Sequence, residues 1–585
     1  RGRRSIQPKM NFSSFLKPLC FLCVLCSCVL RCTALDREAF SIPNYDLKVQ
    51  IDPAQHRLGV RGSLKLRNDT ATPQKIAVLQ ISSSLDWRSI KIGDKAVQFA
   101  TQPFTSDIDH TGALSEAIVT LPDAVSPRST VELQIAYEGV ITLDQTRLTR
   151  IGTPVVLAKS ADWDSVSPEF TAVRGVGYVA WYPIATEVAN LSEGNSLFDV
   201  VARWKSRQTG SRANFKIALI GRDGGPSLRI LLNEIGCSSA TDQGGRPEEK
   251  AVDCTFESLG SSVPTFVIGL LGMVDRSGVT VFNLPSHAVA AEVYAGATKK
   301  VSPLITDWFR HARRKALIVD LPDTSDAPFE SGPLLLTPLS ESEFASALSA
   351  AHQLAHACVS SFRPWVEEGL AHFAQALYVE QQKGRPAAIE YMSAHRPALI
   401  KMEQTAAPSA ANEADSSLVN SNDDEFYRSK AMSVWWMLRD MIGDSALKKA
   451  IAAYRPEQDK DPSYMPWLIA AQTQRDLEWL FDDWVYRDRG LPDFKIESAY
   501  SRKAMSNAFM VTVTVENVGS AGAEVPILVK FAGGAASKRL EVRAKSKATI
   551  RIETSGIPQE ITVNDGSVPE SDTTNNTVKV EVPQG

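Results

Sequence analysis

From residue 45 the chain alternates, with Tyr45, Leu47, Val49 and Ile51 apolar and Asp46, Lys48 and Gln50 polar between them. A period of two is that of a strand with one face buried and the other wet. The same texture returns at Val60, Leu64 and Leu66, at Ile76, Val78 and Leu79, and at Val131, Leu133 and Ile135, separated by turns rich in Asp, Gly and Pro. These segments predict a large antiparallel β-domain reaching to about residue 280. At Leu284-Pro285-Ser286 the period changes, and residues 288–309 and 344–377 carry the 3.6-residue spacing of helices, with helical character continuing to about Trp484. Within that stretch, residues 406–424 are rich in Ala, Asn, Ser and Asp and read as a mobile loop, a candidate rim element between helices. After Leu491-Pro492-Asp493 alternation resumes, with Phe509, Val511, Val513 and Val515 on one side and Thr512, Thr514 and Glu516 on the other. Turn signals at Asn517-Val518-Gly519, Gly533-Gly534 and Asn564-Asp565-Gly566 divide the rest into about seven short strands, as in an Ig-like β-sandwich. The expectation is a multidomain α+β chain: a β-domain over 35–283, a mostly helical unit over 284–493 and a β-sandwich over 494–585. No internal repeat of 20–50 residues is visible.

The amino-terminal 34 residues have a different character. Lys9 and Lys17 lead into an apolar stretch over 19–30 that ends at Arg31, Cys32, Thr33 and Ala34. This reads as a signal peptide cleaved after Ala34, since the stretch is shorter than the ~18–20 residues needed to span a bilayer. Met10 opens the pattern, and residues 1–9 are read as an upstream artefact. The expected location is therefore outside the cytoplasm: periplasmic, cell-surface or secreted. Leu25-Cys26-Ser27-Cys28 offers a weak competing lipoprotein box, so membrane attachment is expected only if Cys28 is lipidated or the signal is retained. Cleavage removes Cys20, Cys23, Cys26, Cys28 and Cys32 and leaves three cysteines. Cys237 and Cys254 flank a polar stretch and are candidates for a disulfide in an oxidising compartment, with two separate thiols as the alternative. Cys358 falls on an apparent core helix. Cleavage also removes six basic and no acidic residues, taking the formal charge from −4 to −10. An acidic chain without a basic stripe argues against a nucleic-acid partner.

The candidate chemistry lies in the helical unit. His352-Gln353-Leu354-Ala355-His356 sets two imidazoles four residues apart in a run without a helix breaker, which places them on one face. A zinc site of this kind needs a third protein ligand, which a carboxylate can supply. Glu368 is the natural candidate, with Glu367 and His372 as alternatives. It follows Pro364, which can open a second helix at its first position.

The His-x-x-x-His pair followed by Trp365-Val366-Glu367-Glu368-Gly369-Leu370-Ala371 resembles the zinc signature of the gluzincin metallopeptidases of the alanyl-aminopeptidase family. The resemblance implies one Zn²⁺ ion on His352, His356 and Glu368 and a peptide or protein substrate cut near its free amino terminus. It also implies roles for two more residues. Glu330, in Ala327-Pro328-Phe329-Glu330-Ser331-Gly332, corresponds to the glutamate that grips the substrate's amino group. Tyr427, in Phe426-Tyr427-Arg428-Ser429-Lys430-Ala431, corresponds to the tyrosine that stabilises the oxyanion. The segments Leu477-Glu478-Trp479-Leu480-Phe481 and Gly490-Leu491-Pro492-Asp493 resemble the end of the family's catalytic domain.

Two features depart from the pattern. The family has eighteen residues between the second histidine and the glutamate, and this chain has the eleven residues 357–367. The general-base glutamate is replaced by Gln353, and loss of such a base costs ~10²–10⁴ in rate. Three readings follow: an exported zinc metallopeptidase homologue with impaired hydrolysis, a zinc-retaining pseudopeptidase that binds peptides or acts as a scaffold, and an adhesion or assembly protein whose β-domains carry the function.

Overall fold

The structure is a computed structural model that describes residues 35–580 apart from 194–195, 221–227, 234–236, 241–250, 260–261, 277, 312–314, 362, 406–416, 420–425, 488 and 505–507. The signal-like segment 1–34 and most of the loop 406–424 lie outside the described residues.

The first strand, Phe40–Asp52, turns through a short 3₁₀ segment whose amino end is capped by Asp52, which accepts from the amides of Ala54 and Gln55. It then pairs antiparallel with Arg57–Asn68. Tyr45, Leu47, Val49 and Ile51 are fully buried, as their alternation predicts. These strands lie in the middle of an eight-stranded sheet. One pairing breaks the antiparallel expectation, because the other neighbour of Phe40–Asp52 is Arg212–Leu219, running parallel to it. Two three-stranded sheets complete the unit. Short helices at Thr146–Arg150, Val155–Ala161 and Ser196–Arg207 interrupt what reads in sequence as continuous β-structure.

A five-stranded sheet that follows was not legible in the sequence. Gly272–Arg276, Val279–Asn283, Ala316–Asp320, Leu334–Thr337 and Phe329–Ser331 lie side by side in that order. The middle three run parallel, and the two edge strands are antiparallel to their neighbours. Buried on both faces, Ala316-Leu317-Ile318-Val319 and Leu334-Leu335-Leu336 are unbroken apolar runs with no alternation to detect. The sheet crosses the point at residue 284 where the period changes, since that point marks the approach to the helix Ala288–Phe309, which connects two of its parallel strands.

Beyond the sheet come the helices Glu343–Cys358, Pro364–Lys383, Arg385–Ser393, Arg396–Thr405, Met432–Ile442 and Asp444–Ala453, followed by shorter turns. Among the described residues the carboxy-terminal unit is a two-sheet β-sandwich of seven strands, three over 494–554 and four over 523–579. Its inner faces meet through Val511, Val513 and Val515 on one side and Val525, Ile527 and Val529 on the other, all fully buried. The chain is thus multidomain α+β: β-sheets first, a helical region in the middle and β-sheets at the end. The hydrophobic core of the helical region continues without a break into the sandwich, from Val279 to Val568, whereas the amino-terminal sheets keep their own core. No helix among the described residues is long and apolar enough to cross a membrane.

At the seam between the helices and the sandwich, the Arg396 guanidinium donates to the backbone oxygens of Glu570 and Ser571 at 2.7 and 3.2 Å. The Glu570 side chain turns inward, fully buried, and accepts from Asn564 Nδ2, Asn576 Nδ2 and the Phe494 amide. Burial pushes its carboxyl up to about 7, against the opposing pull of Asn576, Asn564, Phe494 and Arg396. A folded-state value above the ordinary 4.5 means that the folded protein holds this proton more tightly than the unfolded chain. The resulting stabilisation is complete below pH 4.5 and is lost as pH rises through about 7. Glu570→Gln, neutral throughout, should remove that slope. Thermal melts of wild type should therefore lose roughly 2–3 kcal/mol relative to the variant between pH 4.5 and 8. Parallel pH profiles would contradict the assignment.

Candidate metal centre

His352 and His356 sit on the helix Glu343–Cys358, which Ser342 caps at its amino end by accepting from the Ala345 amide. Their spacing brings both rings to one side, with Nε2 atoms 3.1 Å apart and ring centroids 4.8 Å apart. Both rings are buried.

Glu368 arrives from the next helix, Pro364–Lys383, with Pro364 at its first turn as the sequence predicts. Its Oε2 lies 3.6 Å from His352 Nε2 and 3.5 Å from His356 Nε2. Only residues 359–363 separate the two helices, and a buried polar network holds Ser361 and Arg363 among them. Ser361 Oγ accepts from the Arg363 amide and bonds the Tyr454 hydroxyl at 2.7 Å. Tyr454 in turn donates to Asp459 at 2.6 Å, and Asp459 accepts from the Arg363 guanidinium at 2.6 Å.

A second anchor acts on the same helix one turn further along. The Trp435 ring stacks on Trp365 at 5.3 Å, and its Nε1 donates to the Trp365 backbone oxygen. A Cβ on Gly369 would come within 2.8 Å of both Ala431 Cβ and Trp435 Nε1, so glycine is what allows the helix Met432–Ile442 and the turn before it to approach. The Trp-x-x-Glu-Gly pattern is therefore the packing signature of this helix pair.

Glu330 comes from the edge strand Phe329–Ser331, which returns through a two-residue turn at Gly332, whose φ is +58°. The strand is clamped to the amino-terminal unit. Ser331 Oγ accepts from the Val263 amide at 2.9 Å and from Asn233 Nδ2 at 3.0 Å, and Phe329 packs edge-on against Tyr178 at 5.3 Å. Behind Tyr178 lies the Arg174 guanidinium, 3.6 Å from the ring and held by buried Asp164. This clamp delivers Glu330 Oε2 to 2.8 Å from His352 Nε2 and 3.2 Å from His356 Nε2. Sequence reasoning put Glu330 in the same site but not in direct contact with the histidines.

The four donor atoms of Glu330, His352, His356 and Glu368 all lie within 4.8 Å of one another. Burial alone would raise both carboxyls, but the imidazoles override it: His352 and His356 hold Glu330 well below its ordinary range, and His356 brings Glu368 down to about 2. Conversely, burial opposes a charge on His356, yet Glu368, Glu330 and Glu367 raise it well above its ordinary value. The cluster attracts positive charge, and two imidazole nitrogens with two carboxylate oxygens form a donor set suited to Zn²⁺. His352 Nδ1 is buried without a hydrogen-bond partner among the described residues, which leaves the ring's orientation to its Nε2 contacts.

The alternative ligands lie to one side. Glu367 Oε1 approaches His356 at Nδ1, 3.9 Å away, on the edge of the ring opposite the cluster. His372 packs its ring 4.6 Å from that of His352 and bonds Gln375 through Nδ1. Burial and then His352 push it down to about 3, which keeps it neutral. Gln353 is fully buried, with Nε2 3.5 Å from the Gly332 backbone oxygen and Oε1 without a partner among the described residues. The Tyr427 side chain lies outside the described residues; the backbone there is a π-helical turn, Phe426–Ala431. Cys358 ends the histidine helix as a buried thiol pushed up to about 12 by burial, while Cys237 and Cys254 form a disulfide.

The short link predicts its own weak point. Asp459→Ala removes the carboxylate that holds Arg363 and Tyr454, and should cost on the order of 3 kcal/mol. Because the same network aims Glu368, retention of zinc against a chelator should fall with the melting temperature. A variant with normal melting and normal zinc retention would show that the link is set by other contacts.

Comparison with known proteins gives little at the level of sequence: no family model matches the chain, and no curated protein matches it. Among solved structures, the chain is similar to a mutant M1 zinc metallopeptidase from Deinococcus radiodurans, both alone and bound to a Tyr-Ser-Ala substrate. Each superposes with a TM-score of 0.49 at 15% identity, covering 78% of this chain and 96% of that one.

Proposed function

We propose that this chain is an exported zinc-binding protein of aminopeptidase-like architecture that does not cleave peptides at an appreciable rate. Zinc would be held by His352, His356 and Glu368, and when bound would supply a Lewis acid able to polarise a carbonyl. The observation that carries the reading is Gln353. It occupies the position where the resemblance calls for a proton-accepting carboxylate, and it is fully buried with its amide turned toward the Gly332 backbone. A neutral amide at that place has no comparable proton affinity. Glu367, the carboxylate next to Glu368 in the chain, is no substitute base, because it faces the Nδ1 edge of His356 rather than the Nε2 edge that points into the cluster. Peptide or protein chains remain the partner class that the resemblance implies, bound rather than cut. Export rests on the signal-like first 34 residues and is supported by the Cys237–Cys254 pairing, which suits an oxidising compartment.

The test is hydrolysis of unblocked aminoacyl anilides and short peptides by zinc-loaded protein, with His356→Ala as the control. Wild type should be indistinguishable from the control. Turnover that is lost in His356→Ala, removed by a chelator and restored by zinc would overturn the proposal and mark the chain as a working peptidase.

A further inference from the structure

The resemblance has Glu330 holding a substrate's amino group, which requires it to stand off from the metal. Its position in the structure is different. A tetrahedral zinc site with ligands at ~2.0–2.1 Å has ligand–ligand edges of about 3.3 Å. The edges present are 2.8 Å from Glu330 Oε2 to His352 Nε2, 3.2 Å from Glu330 Oε2 to His356 Nε2, 3.1 Å between the two Nε2 atoms, and 3.6 and 3.5 Å from Glu368 Oε2 to His352 and His356. The remaining edge, between the two carboxylates, is no longer than 4.8 Å. Five of the six edges thus lie within about 0.5 Å of the tetrahedral value, and Glu330 stands at least as close to the histidines as Glu368 does.

From this we infer that Glu330 is the fourth protein ligand of the metal, so that the centre is a closed His₂Glu₂ site with no coordination position left for water. The inference rests on the metal-binding part of the reading above and goes beyond it, giving the ion a structural role in place of a Lewis-acid one.

Three lines of support converge on Glu330. The strand that carries it is clamped on both sides, by Phe329 against Tyr178 and by Ser331 against Val263 and Asn233, so Glu330 is delivered by rigid backbone rather than by a loose loop. Two carboxylates and two neutral imidazoles carry a charge of −2, which balances a dication; with one carboxylate the site would stay positive until an anion joined it. Structural zinc sites use four protein ligands, whereas catalytic ones keep a position open. A closed centre also makes the loss of the base understandable, because with no bound water there is no proton for residue 353 to accept. The centre then has a structural role, tying the strand Phe329–Ser331, clamped to the amino-terminal unit, to the two helices that carry His352, His356 and Glu368.

The test uses the full chain loaded with Co²⁺, whose visible spectrum reports coordination number, and with Zn²⁺ for affinity by chelator competition. Glu330→Gln preserves size and removes the charge, and Glu330→Ala removes the donor altogether; circular dichroism verifies that both fold. Wild type should give the intense bands of four-coordinate cobalt, unchanged by added azide. Both variants should bind zinc at least ~10-fold more weakly, and in Glu330→Ala azide should shift the cobalt bands by entering the vacated position. The inference is overturned if both variants keep wild-type zinc affinity, or if azide shifts the wild-type spectrum as much as that of Glu330→Ala. Wild-type protein that takes up neither metal would overturn the metal-centre reading itself, and this inference with it; uptake with an open position would overturn the inference alone.

Discussion

Two imidazole nitrogens 3.1 Å apart, with carboxylate oxygens from two other elements crowded against them, make an arrangement that needs positive charge at its centre. Without a cation, protonated histidine must fill that need, and His356 is accordingly driven toward its charged form. A dication satisfies all four groups at once and relieves the repulsion between Glu330 and Glu368. The rest of the fold can be understood as the framework that forces these groups together.

That framework has three separate parts, each imposing a different constraint. The amino-terminal unit holds the strand Phe329–Ser331 through Tyr178, Val263 and Asn233. The Ser361–Tyr454–Asp459–Arg363 network sets how the chain leaves one helix and enters the next. The stacked Trp365–Trp435 pair and the missing side chain at Gly369 set how closely the second helix approaches its neighbour. The helical region also shares its core with the carboxy-terminal sandwich, so packing there bears on the same helices. A site assembled from a β-edge and two helices, held from several directions, is rigid without being deep. Glu330 and Glu368 keep 27% and 28% of their side-chain surface exposed.

Much of this was legible in the sequence where one face of an element is wet. Tyr45 to Ile51, the helix Ala288–Phe309, Pro364 at a helix start and the strands after Asp493 all declare themselves by period or by a residue with a fixed backbone preference. The five-stranded sheet did not, because Leu334-Leu335-Leu336 and Ala316-Leu317-Ile318-Val319 are buried on both faces and carry no period. Nor did the parallel pairing of Phe40–Asp52 with Arg212–Leu219, which depends on contacts far apart in the chain. At the site, the histidines and Glu368 were legible from spacing and motif. The closeness of Glu330 was not, since a three-residue edge strand has no pattern of its own and its placement depends on Ser331 meeting Asn233 and Val263 across the domain seam. The eleven-residue spacing between His356 and Glu368 looked like an obstacle. It works because Arg363 and Ser361 find Asp459 and Tyr454 nearly a hundred residues later, a pairing that local sequence does not reveal.

These side chains should form a resident metal centre. Elemental analysis of the protein purified without chelators and without added metal, referred to protein concentration, tests it most directly. Wild type should carry one equivalent of zinc and His356→Ala none. Wild-type protein that is folded and carries no zinc, before and after incubation with Zn²⁺, would contradict it.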